Sequence, residues 1–196
     1  MAILPIYVYD QAVLRKKARP VKAVNDDLAI LASSMLETMR RANGVGLAAN
    51  QVGSLDRIIV VDLSGMEESK DFVPLAMLNP EVVNQEGEWV LEEGCLSIPD
   101  IREEVERADR IKVRYKDLTF ADREIEAEGF LGRVILHEID HLNGVLFIDH
   151  LSAVRRKLLR GRLNKMKRGE VEVDYPIVSN GAEGPKHAAV HAAAKE

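Results

Sequence analysis

Two histidines and a glutamate lie close together in the stretch VILHEIDHLNG, which runs from residue 134 to 144. His137 and His141 are four positions apart, so on an α-helix they lie one turn apart on the same face and can hold one metal ion. Glu138 lies beside that line, where a carboxylate can handle protons for activated water instead of binding the metal itself. The motif predicts a hydrolytic metal site, with two histidines on an ordinary helix as the alternative.

A metal site of this kind needs a third protein ligand, and Cys95 is the strongest candidate outside the helix. It is the single cysteine of the chain and lies in LEEGCLSIP, directly after Gly94 and before a turn that would display its thiol. A lone cysteine is more often a small buried apolar residue. Together with two histidines, however, a thiolate completes a tetrahedral site that keeps one position open for water.

The common protease completions of the HExxH motif fail in this chain. The pattern H-E-x-x-H-x-x-G-x-x-H is followed as far as Gly144, but its last position is Phe147 and not histidine. Families that complete the site with a downstream glutamate find none between Glu138 and Glu170, where the chain is basic. An HExxH-type metalloprotease is therefore kept only as the alternative function.

Length, charge and composition exclude several classes of protein. A chain of 196 residues with 46% hydrophobic residues can build one well-cored domain. The net charge of -5 argues against bulk attraction to nucleic acid. One cysteine excludes an internal disulfide and fits a reducing compartment. The sequence has neither a leader pattern nor an uncharged stretch of membrane-spanning length, so we expect a soluble, cytoplasmic protein with no membrane partner.

Helical spacing of apolar residues predicts three helices that frame the chain. The first covers residues 25–39 with Asn25 as N-cap, and the second carries the histidine motif from Gly129 to the Asn-Gly pair at 143–144. The third is amphipathic, and its segment between Arg155 and Arg168 contains eight basic residues and no acidic one.

Strand patterns dominate the middle of the chain. We predict strands over residues 57–63, 75–83, 86–93, 101–108, 110–117 and 123–130, the last at a sheet edge, and a close-packed loop over 44–51. These elements indicate an α+β fold in which antiparallel or mixed strands pack around the central metal-binding helix. The composition shifts to alanine, glycine and polar residues after Gly169. We therefore expect a single catalytic domain over 1–169 and a flexible tail over 170–196.

Three segments together resemble the signature motifs of the peptide deformylase family. They are GVGLAANQ at 44–51, EGCLS at 93–97 and HEIDH at 137–141, in the family's order and with comparable separation. The resemblance implies a metal-dependent hydrolase of N-terminal processing, which removes the formyl group from the N-terminal formylmethionine of nascent polypeptides and releases formate. One departure is Leu136, because the residue before the first histidine is commonly glutamine in the family.

The resemblance also implies roles for the residues that match these motifs. It implies metal binding by Cys95, His137 and His141, with Glu138 as general acid and base. It further implies that the Gln51 side chain and the Leu96 backbone N–H stabilise the oxyanion, a task for which neutral donors are suited. The family's usual metal is ferrous iron, whereas zinc or nickel would fit the same ligands.

Further residues of the motifs and of the helix face are candidates for substrate binding. Glycines at 44 and 46 let an extended peptide approach the backbone in strand fashion, although a tight turn explains them as well. Two apolar residues on the helix face of His137 can wall a pocket for a methionine side chain, although core packing explains them equally well. The candidates are Gly44, Val45, Gly46, Gly94, Phe130 and Val134.

Two charged features are left open by the motifs. The carboxylate of Asp140, on the inner part of the helix, needs a cationic partner, for which Arg102 and Arg107 are candidates. The basic segment between Arg155 and Arg168 is either a solvated face over the core or a contact with ribosomal RNA. An RNA-binding module explains that segment alone, whereas a deformylase explains all three motifs and the single cysteine.

Overall fold

The protein has a mixed α/β fold. Its middle part, where apolar and polar residues alternate, forms strands, and helices lie before and after that part. The computed structural model describes residues 2–180. Within this range the helices are α1 (Asp26–Arg41), α2 (Gly129–Leu142) and α3 (Ala153–Lys167). The strands are β1 (Ile6–Tyr7), β2 (Gly46–Ala48), β3 (Ile58–Val61), β4 (Leu75–Glu86), β5 (Trp89–Cys95), β6 (Ile98–Arg107), β7 (Arg110–Lys116), β8 (Asp122–Glu128) and β9 (Ile177–Val178). None of the helices in residues 2–180 has the length and apolarity needed to span a membrane.

Five strands form one antiparallel sheet in the order β2-β3-β4-β7-β8. Strand β3 is buried along its whole length because IIVV contains no polar residue, whereas β8 lies at the edge, as predicted. Strands β5 and β6 pair as a separate antiparallel hairpin, and β1 pairs with β9 in parallel. The antiparallel sheets and three helices confirm the predicted α+β class.

Helix α1 begins where its sequence predicts. The Asn25 side chain accepts a hydrogen bond from the Leu28 N–H at 2.9 Å and so satisfies a free donor of the first turn. The apolar face of the helix is buried with β3 in one core cluster, with members such as Met35 and Met39. The prediction over 25–39 is confirmed, and the helix continues for two further residues.

Helix α2 is buried on nearly all sides because its sequence has no continuous polar face. It packs against the five-stranded sheet, with Ile135 and Ile139 in the same apolar cluster as Ile59 and Val61. The helix ends at Leu142, and two residues later Gly144 has φ +77°, where a side chain would collide with the Arg15 carbonyl group. Only glycine meets both conditions, as the Asn-Gly stop signal predicts.

The loop predicted over residues 44–51 is wrong in part. Residues Gly46–Ala48 form β2, whose Leu47 and Ala48 pair with Val60 and Ile59 of β3, and a single 3₁₀ turn follows. A strand of three residues is too short to show alternation in the sequence. Its pairing therefore depends on the neighbouring strand and not on its own pattern.

The tail predicted from residue 170 is wrong for its first part. Strand β9 pairs with β1, and Tyr175 and Ile177 are buried in the α1 cluster. Before Tyr175, the apolar residues Val171 and Val173 alternate with exposed acidic residues. This alternation is typical of a strand, but the polar composition of the segment favoured a tail. We call residues 170–178 the strap. The remainder of the tail, 181–196, with its histidines at 187 and 191, lies outside the described residues.

Candidate metal centre

The end of β5 and one face of α2 bring Cys95, His137 and His141 together. Their ligand atoms all lie within 4.8 Å of one another, and the Cys95 Sγ is 3.1 Å from the His141 Nε2. The two imidazole rings meet edge to face with centroids 5.0 Å apart. Two imidazole nitrogens and one thiol sulfur are a donor set that zinc and other divalent first-row metals accept. The residues present therefore fit a metal ion.

The His137 ring is oriented by Glu93, a residue that sequence reasoning missed. The His137 Nδ1 lies 2.9 Å from the Glu93 carboxylate. Since a carboxylate accepts, Nδ1 carries the proton and Nε2 is left as the ligand atom. The position of Glu93 directly before Gly94 in the EGCLS motif was the signal that could have found it.

Two buried arginines hold the Glu93 carboxylate in place. Arg107 donates to it at 2.6 Å and Arg133 at 2.9 Å. Burial raises the pKa of Glu93, but the hydrogen bonds from His137 and Arg107 outweigh burial and hold this pKa well below its usual range. The carboxylate therefore stays charged at neutral pH and remains an acceptor for the histidine.

The partner of Asp140 is Arg107 and not Arg102. The Arg107 Nη1 lies 2.6 Å from the Asp140 carboxylate, to which His150 also contributes its Nε2 at 2.7 Å. Arg102 is exposed and lies 3.8 Å from Glu92 at the rim of the site. Because Arg107 contacts both Glu93 and Asp140, one buried guanidinium joins the hairpin to α2.

Glu138 is buried beside the three candidate ligands with an unused oxygen. Its Oε2 has no hydrogen-bond partner among residues 2–180, and burial raises the pKa of its carboxyl group to about 7. A Cβ at Gly46 would lie 2.5 Å from the Glu138 Oε1 and 2.8 Å from the Val134 Cγ1. Glycine is therefore required at position 46, because a side chain there would displace the Glu138 carboxyl group. With a pKa near 7, this carboxyl group can take up and release a proton at neutral pH.

Two neutral donors lie next to Cys95. The Gln51 Oε1 accepts from the Ala48 N–H at 2.8 Å, which turns its Nε2 towards the Cys95 Sγ at 3.6 Å and the Ser97 Oγ at 3.2 Å. Leu96 lies in the turn between β5 and β6, and its N–H donates to no acceptor in the described part of the chain. The Leu96 N–H is thus available to a ligand, whereas the Gln51 amide donates to Cys95 and Ser97 and would exchange one of these hydrogen bonds for one to a ligand.

A cleft with a volume of about 700 Å³ opens beside these groups. All six residues predicted to contact substrate line it, together with Gln51, Cys95, His137 and Glu138. The strap forms part of its wall through Glu172, Val173, Asp174 and Tyr175. The structure therefore gathers every residue of the sequence prediction at one site.

Leu136 is not among the residues that line the cleft. Its side chain is 7% exposed and belongs to the apolar cluster between α2 and the five-stranded sheet. The hydrogen bond that a glutamine would make at this position is replaced by apolar burial. The departure therefore leaves the candidate ligands unchanged.

The sequence is similar to proteins of one family. A sequence model described as polypeptide deformylase matches residues 3–157. The peptide deformylase of Salinibacter ruber is 48% identical over 189 residues, which cover 92% of this chain and 97% of the relative. That of Alkalilimnicola ehrlichii is 49% identical over 174 residues, or 88% of this chain and 96% of the relative.

Solved structures show the same likeness. A peptide deformylase from Legionella pneumophila superposes with a TM-score of 0.79 and 40% identity, covering 86% of this chain and 98% of that one. A peptide deformylase from Synechococcus elongatus, solved in complex with actinonin, superposes with a TM-score of 0.76 and 38% identity over 81% of this chain and 87% of that one.

Proposed function

The chain belongs to the polypeptide deformylase family, and from that premise we propose that Cys95, His137 and His141 hold its metal ion. The protein is a metal-dependent hydrolase that removes the N-formyl group from nascent polypeptides. The observation that carries the site assignment is the meeting of one thiol and two imidazoles within 4.8 Å, beside a buried carboxyl group. An HExxH-type protease is not favoured.

The residues around the site have separate roles in the proposed reaction. When bound, the ion supplies Lewis-acid chemistry and lowers the pKa of water to about 7. Glu138 takes a proton from the attacking water and passes it to the departing amine. The Gln51 amide and the Leu96 N–H donate to the formyl oxygen as negative charge develops on it. Formate and a free N-terminal amine are the products.

The cleft accepts an N-formylmethionyl peptide in extended form. Strand β2 lies at the end of the five-stranded sheet, so its outer edge can pair with an added peptide strand. Gly44, Val45 and Gly94 bring backbone to the cleft at this edge. The methionine side chain packs against Phe130 and Val134 beside the site.

The test of this function is formate release from a formylmethionyl peptide by the purified protein. We expect turnover of the formyl group and none of internal peptide bonds. Cleavage of internal peptide bonds without release of formate would show that the protein is a metalloprotease and not a deformylase.

We propose ferrous iron as the native metal, with zinc and nickel as fitting substitutes. A thiolate on iron is readily oxidised, and Cys95 is only half-buried. Protein prepared without oxygen is therefore expected to lose most of its activity in air, whereas the same protein reconstituted with nickel or zinc keeps it. Activity after anaerobic and aerated incubation measures this difference. Equal survival of the anaerobic preparation in air would rule out iron.

We propose that the basic face of α3 contacts the ribosome, where the nascent substrates of the cytoplasm emerge. The eight basic residues between Arg155 and Arg168 are all exposed, while Leu159, Leu163 and Met166 are buried beneath them. The exposed face thus has a single sign of charge, which suits the phosphate backbone of ribosomal RNA.

We further propose that residues 2–180, strap included, form one catalytic domain.

Charge reversal on α3 tests this contact. Lys157, Arg160 and Lys165 have no ion-pair partner in the described chain, so changing all three to Glu breaks no ion pair there. Co-sedimentation with ribosomes is expected to fall at least tenfold and to become less dependent on salt. Activity on a free peptide should not change.

The matched control for this reversal changes three exposed lysines elsewhere to Glu. Lys16, Lys17 and Lys22 are exposed and give the same change in net charge. If both triple variants co-sediment equally well with ribosomes, α3 is not the contact.

A further inference from the structure

The strap enters the site although it lies beyond residues 3–157, which the family model matches. It returns from α3 along the cleft and ends in β9. Two backbone hydrogen bonds fasten it to β1, from Ile6 N–H to the Pro176 carbonyl at 2.9 Å and from Val8 N–H to the Val178 carbonyl at 3.0 Å. The segment is therefore held in a defined position beside the turn that follows β5.

Tyr175 connects the strap to that turn. Its ring is buried in the α1 cluster, and its hydroxyl donates to the Leu96 carbonyl at 2.9 Å. Burial raises the pKa of Tyr175 above its usual value, so the phenol remains a donor throughout the working pH range. The hydroxyl group can thus donate to the Leu96 carbonyl at any working pH.

Other contacts hold the turn at Ser97 but not at Leu96. The Tyr9 N–H donates to the Ser97 carbonyl at 2.8 Å, and the Gln51 Nε2 donates to the Ser97 Oγ at 3.2 Å. Along the described chain, the Tyr175 hydroxyl is the one hydrogen-bond partner of the Leu96 backbone. It restrains the backbone of Leu96 on the carbonyl side, while the N–H side stays unpaired.

We propose that Tyr175 is a positioning residue for deformylation, whose hydroxyl aims the Leu96 N–H at the formyl oxygen. The inference rests on the proposed function, because it assumes that the Leu96 N–H is an oxyanion donor. Such a donor acts through its direction and distance to the charge that develops in the transition state. A turn free to rotate at Leu96 would therefore bind substrate normally and stabilise the transition state less.

The test is Tyr175→Phe in the metal-loaded protein, with formate release as the assay. The substitution removes one oxygen and keeps the buried ring. We expect kcat to fall about tenfold, less than the loss of a whole oxyanion donor, with KM changed less than about twofold and with unchanged metal content. Tyr115→Phe is the matched control, since Tyr115 lies on β7 and its hydroxyl makes no hydrogen bond within residues 2–180.

Amide hydrogen exchange of the peptide that covers residues 94–98 provides a second readout. We expect faster exchange there in Tyr175→Phe than in wild type or Tyr115→Phe, at a temperature where all three are folded. An unchanged kcat, with or without a lower Tm, would show a purely structural role. Equal losses in both variants would overturn the inference as well. If wild type releases no formate, the proposed function fails first, and the two failures are thereby distinguished.

Discussion

Glu138→Ala is expected to keep its metal ion and lose about a thousandfold in kcat for formate release. The carboxyl group is buried, its Oε2 has no partner in the described structure, and its Oε1 would lie only 2.5 Å from a Cβ at Gly46. It is thus free to take and return a proton, and the three candidate ligands remain when it is removed. Formate release and metal content, measured on one preparation, test both halves of this expectation.

Two further variants define what the loss means. Glu138→Gln keeps the shape and removes the base, so it should be as inactive as the alanine variant. Glu126→Ala removes a carboxylate that is 70% exposed on β8 and does not line the cleft, and it should leave turnover unchanged. Turnover by Glu138→Ala or Glu138→Gln within tenfold of wild type would exclude Glu138 as the proton carrier, and loss of metal would make it a ligand.

Cys95→Ala is expected to bind metal at least a hundredfold more weakly and to release no measurable formate. The thiolate is the one anionic ligand of the proposed set, and its removal should exceed the tenfold to hundredfold cost of changing a group that only orients a ligand. Metal content after dialysis and competition with a chelator measure the affinity. Full occupancy together with normal turnover would refute the assignment.

The control for Cys95→Ala separates metal loss from damage to the fold. Ser97→Ala lies in the same turn and removes no candidate ligand, so it should keep its metal. Wild type stripped of metal and Cys95→Ala should have similar Tm values, because both then lack the stabilisation that a bound ion supplies to the folded state. A much lower Tm for the variant would show that the thiol is needed for packing.

Several charged side chains are buried next to His137, and their mutual pairing explains how the protein tolerates them there. Glu93, Arg107 and Arg133 are nearly excluded from solvent, and burying such groups is costly unless each one is paired. Both arginines donate to Glu93, and the Glu93 carboxylate in turn accepts from the His137 Nδ1. Arg107 also pairs with Asp140. The charges therefore fix the direction of the His137 ring and also join the β5–β6 hairpin to α2.

Several of these features were within reach of the sequence. Alternation in β6 buries Ile101, Val105 and Arg107 and exposes Arg102, so the strand prediction could have chosen between the two arginines. The strap also alternates, but its acidic residues and proline resemble a polar tail. Strand β2, with three residues, is too short for any pattern to reveal it.

The sequence by itself determined that the two histidines proposed as ligands lie one helical turn apart, because helix geometry is local and follows from hydrogen bonds four residues apart. Only the tertiary structure decided which residues distant in sequence make hydrogen bonds to the residues of the site. Glu93 lies 44 positions from His137, and Tyr175 lies 79 positions from Leu96. Such contacts depend on strand pairing and on the packing of α2 against the sheet. Both are properties of the whole chain, and no short segment encodes them.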